Sequence, residues 1–246
     1  MTLPEQIDQA SKASLTLWWL GRSGFVLKYH SMIFYIDPYL TGSLICAPEQ
    51  IHHASMVLCT HGHPGHMDAA TLRPLLESSP GAKLLLPKSA AAHAHSLGIS
   101  YQRMTTTDAG LRVEYFQTGD YIRIYSVPSA HPELEWTAIG GYPYLGYLIR
   151  CGGCTIYHAG DCVPYPDLAM RLRPYNVDVA LLPVSGGVNF SVEQAAQLAE
   201  DIEASWLVPM HYGSADPFLD HMLFHRPSQR FKLFTAGEGW QVPDIL

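Results

Sequence analysis

A ten-residue segment, CTHGHPGHMD, carries three histidines at His61, His63 and His66. Histidine is a common metal ligand because its neutral imidazole offers a nitrogen lone pair near physiological pH. Two histidines in a His-x-His spacing directly after a strand can direct both imidazoles to one side, since side chains alternate along an extended backbone. The segment therefore indicates a metal-binding loop.

One aspartate and two further histidines stand directly after apolar runs elsewhere in the chain. His131 follows IYSVPSA, Asp161 follows TIYHAG and His211 follows WLVPM. Their separation along the chain does not matter if the loops after these runs meet at one edge of a scaffold. We expect them to join the first three histidines in one metal centre. Such a centre would activate water and polarise a carbonyl or phosphoryl group.

Short apolar runs must position these loops. The first three are Leu15–Leu20, Phe25–Tyr29 and Met32–Ile36. Their aromatic and branched residues, with the turns GRSG and HS between them, predict a β-meander that ends at Asp37 before a proline. The segment ASMVLCT predicts a buried strand leading into the histidine segment, and Asp68 to Ser78 predicts a helix with one apolar face.

The remainder of the chain alternates predicted strands and helices. Strands are predicted at KLLLP, Leu111–Phe116, Tyr121–Val127, VDVALLPV and SWLVPMHYG, and near the C-terminus in FKLFTAGEGWQVP. Helices are predicted at SAAAHAHSLG and at SVEQAAQLAEDIEA, where Ser191 is the expected cap. A hairpin is expected around Gly152-Gly153, and a loop after PMHYG that contains His221 and His225. This order suits two sheets packed face to face, with helices outside, in one domain over residues 1–246.

Composition narrows the classes of function. The chain has 246 residues, 48% of them hydrophobic, and a formal charge of −7. A general nucleic-acid binder needs a basic surface to neutralise phosphates, so this charge argues against that class. We find no signal peptide, and no run of the roughly 18 to 20 apolar residues that a membrane span needs. Five cysteines without a disulfide-like spacing fit reduced thiols in the cytoplasm.

Four motifs in fixed order, THGHPGH, SAH, AGD and PMHYG, resemble those of the metallo-β-lactamase superfamily. The segment LLPVSGGVNFSVEQAAQLAEDIEASWLVPMHYG is similar to that of its compact metal-dependent hydrolases, and more distantly to the ascorbate-6-phosphate lactonases. The resemblance covers roughly Leu15 to the C-terminus. It implies an αββα sandwich of two mixed β-sheets with helices on the outer faces, and a metal site at one edge of the sheets.

The resemblance also implies roles for the six strand-end residues. His61, His63 and His131 would hold the first metal, His66 and His211 would help to hold the second, and Asp161 would bridge the two. Metal-bound hydroxide would then attack the substrate, with Asp161 and His211 at the reacting centre. We expect zinc, as one or two ions, with manganese or iron as alternatives.

The sequence departs from the family pattern at Gly65, where the family has an aspartate that ligates the second metal. Glycine offers no ligand, so one tightly held metal is a safer expectation than two. Asp68 is one helical turn further on, and a helix that begins near Pro64 would tilt its carboxylate toward the site. It would then be a substitute ligand and catalytic acid, or a partner of a ligand. The alternative is an acid that only stabilises the start of the helix.

Other residues are candidates for support and substrate binding. Asp37 matches an early aspartate of the family and is expected to hydrogen-bond to a ligand histidine. The segment after His131 is either a loop that binds substrate or a surface loop with no part in binding. In the first case its residues line a pocket: Glu133, Trp136, Tyr142 and Tyr144. Arg22, in the first turn of the meander, binds an anion or is simply solvated.

These observations predict a metal-dependent hydrolase of a small-molecule ester, lactone or phosphodiester. The charge predicts no nucleic-acid partner, and a homo-oligomer is compatible with the resemblance. The alternative is a non-catalytic metal-binding sensor or assembly protein of the same fold, with Gly65 as its main support.

Overall fold

Branched and aromatic residues separated by two tight turns form the predicted meander at the start of the chain. The computed structural model describes residues 1–243 and places the three apolar runs in consecutive antiparallel strands. Gly21 adopts a φ of +91° in the first turn, a left-handed conformation that glycine tolerates without steric cost. The last three residues of the expected domain, 244–246, lie outside the described part of the chain.

The strands and helices follow the predicted order. The strands are β1 (Leu15–Gly21), β2 (Gly24–Tyr29), β3 (Met32–Ile36), β4 (Met56–Leu58), β5 (Lys83–Pro87), β6 (Met104–Thr107), β7 (Arg112–Gln117), β8 (Asp120–Pro128), β9 (Leu145–Cys151), β10 (Cys154–His158), β11 (Val179–Pro183), β12 (Trp206–Met210) and β13 (Gly239–Gln241). The α-helices are α1 (Leu3–Gln9), α2 (Ala69–Ser78), α3 (Ala91–Ser96), α4 (Leu168–Leu172), α5 (Val192–Asp201) and α6 (Asp216–His225).

The strands form two mixed sheets. The seven-stranded sheet has the order β13-β1-β2-β3-β4-β5-β6, antiparallel from β13 to β3 and parallel from β3 to β6. The six-stranded sheet has the order β12-β11-β10-β9-β8-β7, parallel from β12 to β10 and antiparallel beyond. Each sheet therefore contains a parallel part, whose strands all end at the same edge.

The alternation of side chains along β1 and β3 divides the apolar residues between two cores. Leu17 and Phe34 belong to the core that also includes the six-stranded sheet, whereas Trp18 and Tyr35 face the second core, with residues of α1 and α2. All four are at most 2% exposed, so both faces of the sheet are covered. Two mixed sheets with helices outside confirm the expected αββα sandwich.

Helix α5 shows that its start was readable from the sequence. Ser191 Oγ accepts a hydrogen bond from Gln194 N at 3.3 Å, and the Gln194 side chain accepts one from Ser191 N at 2.8 Å. This reciprocal pair is a capping box, which satisfies two amide groups at the start of the helix. The apolar stripe of the helix, which includes Leu198, is buried as predicted.

Three predictions of local structure were wrong or incomplete. The segment after PMHYG is not a loop but α6, which contains His221 and His225. The helix predicted from Asp68 to Ser78 is confirmed as α2, but the earlier start near Pro64, on which a ligand role of Asp68 depended, is wrong, since the residues from Pro64 to His66 form a turn. Strand β6 and helix α4 were not predicted, because both are short and lack a periodic apolar pattern. None of the helices among residues 1–243 is long and apolar enough to cross a bilayer.

Candidate metal centre

The predicted site residues follow the ends of neighbouring parallel strands. Asp37 follows β3 and His61 comes shortly after β4, which pairs with β3 in parallel. Asp161 and His211 follow β10 and β12 in the parallel part of the other sheet, and His131 follows β8. The loops that carry them therefore leave the sandwich at one edge.

Hydrogen bonds to backbone carbonyls hold these loops together. Thr60 O accepts a hydrogen bond from Leu145 N at 3.0 Å, and Ser129 Oγ donates one to Ala159 O at 2.8 Å. Gly160 has a φ of +65°, and a Cβ there would lie only 2.9 Å from the Cβ of Thr60. A glycine is thus required before Asp161, because any side chain would push its loop away from the loop of His61.

The structure brings the donor atoms into two overlapping sets, each with its ligand atoms within 4.8 Å of one another. The histidine set is defined by His61, His63 and His131. The Asp161 set is defined by His61, His66 and Asp161. The two sets share His61, so the centre is one compact cluster.

The buried ring of His61 has one nitrogen in use and one free. Its Nδ1 lies 3.1 Å from Thr60 Oγ1, and this hydroxyl donates its own hydrogen to Asp37 Oδ2 at 2.6 Å. His61 Nδ1 must therefore donate to Thr60, which leaves a lone pair on Nε2. That Nε2 is buried and has no hydrogen-bond partner among the described residues. Burial and the neighbouring His66 hold the pKa of His61 well below its usual value, so the ring is neutral.

The other members of the histidine set are also presented as ligands. His131 Nδ1 donates to the carbonyl of Val188 at 3.1 Å, which directs its Nε2 toward the cluster, 3.9 Å from Asp161 Oδ2. Burial and the adjacent His131 lower the pKa of His63. A hydrogen bond on one ring nitrogen fixes the tautomer and the direction of the other, as in metal-binding histidines generally.

His66 lies between two carboxylates. Its Nδ1 donates to Asp37 Oδ2 at 2.7 Å, and its Nε2 lies 3.2 Å from Asp161 Oδ2. Burial opposes the charge of the ring, but the carboxylates of Asp37 and Asp161 outweigh it and raise the pKa of His66 to about 10. Burial also opposes the charge of Asp161, but the hydrogen bond and charge of His66 lower the pKa of that carboxyl. Asp161 Oδ1 is buried without a partner among the described residues.

Asp37 connects the two sets. It is 0% exposed, and besides His66 it accepts hydrogen bonds from Thr60 N at 2.7 Å and Thr60 Oγ1 at 2.6 Å. The expected hydrogen bond to a candidate ligand histidine is therefore present. Through Thr60, the same carboxylate also orients His61.

His211 lies at the rim of the cluster and belongs to neither donor set. Its Nε2 is 3.8 Å from Asp161 Oδ1, and 29% of its side chain is exposed. Its backbone N donates to Arg22 O at 3.0 Å, and its φ is +56°, an uncommon conformation for a residue with a side chain. The structure thus holds His211 Nε2 close enough to Asp161 Oδ1 for one ion to bind both atoms.

Asp68 is a helix cap, not a substitute for the missing aspartate. Its Oδ2 accepts hydrogen bonds from Thr41 and Thr71, each at 2.6 Å, and its Oδ1 accepts one from Ala70 N at 3.3 Å. Asp68 is the N-cap of α2, so its carboxylate belongs to the helix start and to neither donor set. The expectation that it completes the metal site or acts as a catalytic acid failed because the helix begins later than assumed.

The candidate substrate residues divide into two groups. The ring of Tyr144 lies 5.1 to 5.6 Å from those of all three members of the histidine set. The other three residues have no such contact: Tyr142 is half-buried against the core, and Glu133 and Trp136 are exposed. Trp136 is 59% exposed, so the segment after His131 forms a rim.

A cavity of about 290 Å³ adjoins the cluster beside His63 and Tyr144. Its other wall includes Ser89, Ala90 and His93, from the turn and helix after β5. Nothing in the sequence SAAAHAHSLG marks His93 as a residue that faces the histidine segment.

Backbone acceptors and amides that support the cluster were also missed. The carbonyl of Val188 orients His131, and Asn189 Oδ1 accepts a hydrogen bond from Cys162 N at 3.0 Å, next to Asp161. Both residues lie in the segment SGGVNF. The only sequence signal was this glycine-containing turn, which follows the strand β11 at the same edge.

A family model described as a beta-lactamase superfamily domain matches residues 16–211, which include all six candidate ligands. The chain belongs to the metallo-β-lactamase superfamily. A UPF0173 metal-dependent hydrolase from Methanoculleus marisnigri is 31% identical over 240 residues, which cover 93% of this chain and 97% of the relative. The resemblance noted in the sequence is therefore confirmed at the level of the superfamily and its compact metal-dependent hydrolases.

Solved structures share this fold. A metallo hydrolase from the archaeon Ignicoccus hospitalis superposes with a TM-score of 0.76 at 20% identity, covering 94% of this chain and all of the other. A diiron β-hydroxylase from Streptomyces venezuelae superposes with a TM-score of 0.70 at 16% identity, covering 93% of this chain and 54% of the other. Identities this low establish the fold alone.

The donor atoms fit a resident metal ion of this superfamily. The buried, unpartnered His61 Nε2 and Asp161 Oδ1 are polar atoms whose burial costs free energy unless they contact a ligand. A cation that accepts a lone pair from each would remove that cost. Imidazole nitrogens with one carboxylate are a donor set typical of zinc and iron sites.

Proposed function

We propose that this chain hydrolyses an ester, lactone or phosphodiester bond in a small molecule, with zinc as the resident metal. The observation that carries the proposal is the pair of buried, unpartnered donor atoms, His61 Nε2 and Asp161 Oδ1. Its relatives are named metal-dependent hydrolases, which supports a hydrolytic reaction.

The histidine set is the metal-binding part of the centre. His61 and His63 have lowered pKa values, so their rings can donate lone pairs at neutral pH without first losing a proton. A divalent ion bound there supplies a water of lowered pKa and polarises the bond under attack. Iron remains an alternative to zinc, since a structural neighbour is a diiron enzyme, and manganese is to be tested beside them.

Asp161 and His66 can hold a proton that the reaction releases or consumes. The lowered pKa of Asp161 keeps its carboxylate ionised, with Oδ1 as the unpartnered donor atom for the cation and Oδ2 turned toward His66. His66 Nε2 faces Asp161 Oδ2 at 3.2 Å, so a proton can be held between these two atoms. The pair is buried, which shields it from bulk solvent.

The size and lining of the cavity favour a small substrate. A volume of about 290 Å³ beside His63 admits a molecule of modest size. Tyr144 forms an aromatic wall, and Glu133 and Trp136 at the exposed rim can contact the parts of the substrate that extend outward. The overall charge of −7 disfavours nucleic acid, and the five free cysteines suit the reducing cytoplasm.

Hydrolysis by protein loaded with zinc, manganese or iron tests the proposal. We expect turnover of at least one member of a panel of 4-nitrophenyl esters, γ- and δ-lactones and bis(4-nitrophenyl) phosphate. Turnover should be lost on chelation and restored by the metal. A protein that binds metal but hydrolyses no member of the panel would instead support the non-catalytic sensor. A protein that binds no metal would overturn the ligand assignment.

A further inference from the structure

The side chain of Arg22 lies beside Gly65, the position where the family pattern has an aspartate. A Cβ built on Gly65 would lie 3.3 Å from Arg22 Nη1, closer than most such contacts. Glycine at this position therefore leaves room for the guanidinium group. The acid that is absent at position 65 and the arginine that lies beside it are thus one structural feature.

The backbone of Arg22 is built into the edge of the site. Its carbonyl accepts hydrogen bonds from His211 N at 3.0 Å and from Trp19 Nε1 at 2.9 Å, and its φ is +49°. Its guanidinium carbon lies 4.6 Å from the centre of the Tyr39 ring, which gives the group a cation–π contact. The side chain thus leaves a fixed turn and lies against an aromatic surface.

The guanidinium has unused donors and no counter-charge. No carboxylate within residues 1–243 lies within 4.0 Å of it, and the carboxylates of the cluster, Asp37 and Asp161, pair with His66. A guanidinium group carries five N–H donors in a planar fork that matches a carboxylate or phosphate. A divalent cation on the neutral histidines would add positive charge on the same side of the molecule as this guanidinium, despite the overall charge of −7.

We propose that Gly65 and Arg22 act as a pair: the missing side chain makes room for the guanidinium, and the guanidinium binds a phosphate or carboxylate group of the substrate. The inference rests on the proposed hydrolytic site and names its substrate class, an anionic small-molecule ester or lactone. Arg22, rather than a second metal ion, then supplies positive charge beside the Asp161 set.

The proximity of Arg22 to Gly65 determines what happens when the aspartate of the family pattern is restored at position 65. An aspartate at position 65 would place its carboxylate within reach of the Arg22 guanidinium, with which it would form a charge-assisted hydrogen bond. Gly65→Asp alone should therefore leave about one metal per chain. The double variant Gly65→Asp/Arg22→Gln frees the carboxylate and should bind two.

Binding of two anions by the zinc-loaded protein tests the role of Arg22 directly. Inorganic phosphate and glutarate are titrated by calorimetry into the wild type, Arg22→Gln and Arg22→Lys. We expect Arg22→Gln to weaken binding of the preferred anion roughly 10- to 100-fold and Arg22→Lys to weaken it less. Arg171→Gln, at an exposed position in α4, is the matched control and should bind as the wild type does.

The two anions distinguish a phosphate substrate from a carboxylate substrate. Equal affinity in the wild type and Arg22→Gln, or no binding of either anion to the wild type, would overturn the proposal. Elemental mass spectrometry of the two position-65 variants supplies a second readout, and two metals per chain in Gly65→Asp alone would show that Arg22 does not compete. Neither readout requires turnover, so failure of hydrolysis would count against the proposed function only.

Discussion

The histidine set and the Asp161 set share His61, yet the pKa of His63 in the first and that of His66 in the second are shifted in opposite directions. His63 has a lowered pKa and its ring is neutral, whereas His66 is held by two carboxylates that raise its pKa to about 10. Metal binding requires a deprotonated ligand, so His63 can bind at neutral pH as it stands, whereas His66 must first lose a proton.

The surroundings of the histidine set also suit metal and substrate binding better than those of the Asp161 set. The histidine set adjoins a cavity and the ring of Tyr144. The Asp161 set adjoins Gly65, which offers no ligand, and the rim residue His211. The two sets therefore differ in the direction of the pKa shifts of His63 and His66, and in the ligand that is absent at Gly65.

Loss of His61 should have the largest effect, since it is common to both sets. His61→Ala removes the buried Nε2 donor, and we expect zinc affinity to fall by more than the 10- to 100-fold typical of changes to residues that only support a ligand. Hydrolysis should fall with it. Metal titration against a competing chelator measures the change.

His225→Ala, at an exposed position in α6, is the matched control and should retain wild-type affinity. Retention of zinc by His61→Ala would contradict the view that the two sets form one cluster, and would require that His63 and His131 bind the ion with another donor.

In the metal-free protein, His66 and His61 should affect the free energy of unfolding in different pH ranges. The folded pKa of His66, about 10, exceeds its unfolded value near 6.5, so its stabilising contribution is complete below pH 6.5 and is lost as the pH rises through 10. The folded pKa of His61 is lowered, so it destabilises the fold as the pH falls below 6.5, where the unfolded chain takes up a proton.

Denaturant unfolding at several pH values, with chelator present, measures this contrast. We expect the free energy of unfolding to fall between pH 7 and 9.5 by at most about 1.4 kcal/mol per pH unit from His66. Asp37→Asn should reduce that slope, because it removes a carboxylate that raises the pKa of His66, and it should also lower stability at neutral pH. An unchanged alkaline slope in Asp37→Asn would show that Asp37 does not hold the proton on His66.

The sequence was sufficient to predict the fold and five of the residues that the structure brings together in the cluster. Strand-end residues such as His61, His131 and Asp161 follow recognisable apolar runs, and parallel strands bring their ends to one edge of each sheet. Local sequence patterns were enough to predict the structure wherever the backbone forms regular strands or helices.

The arrangement within the site was not predictable, because it depends on contacts between distant segments in irregular conformations. The proximity of Arg22 to Gly65 depends on a left-handed turn whose carbonyl is bound by His211. The tautomer of His131 depends on the carbonyl of Val188, which no side-chain motif encodes. Asp68 was misjudged because a proline in the histidine segment suggested an earlier helix start than the one observed.

A substitution at Asp68 should have the smallest effect, and it tests whether this residue is a helix cap or a metal ligand. As the N-cap of α2 it accepts hydrogen bonds from Thr41, Thr71 and Ala70 N, so Asp68→Ala should lower the free energy of unfolding by about 1 kcal/mol. Metal content should stay at the wild-type value, since the carboxylate belongs to neither donor set. Asp68→Asn keeps an acceptor and should lose less stability. Loss of metal from Asp68→Ala at unchanged stability would instead make Asp68 the missing ligand, and the Asp161 set would then be a complete second site.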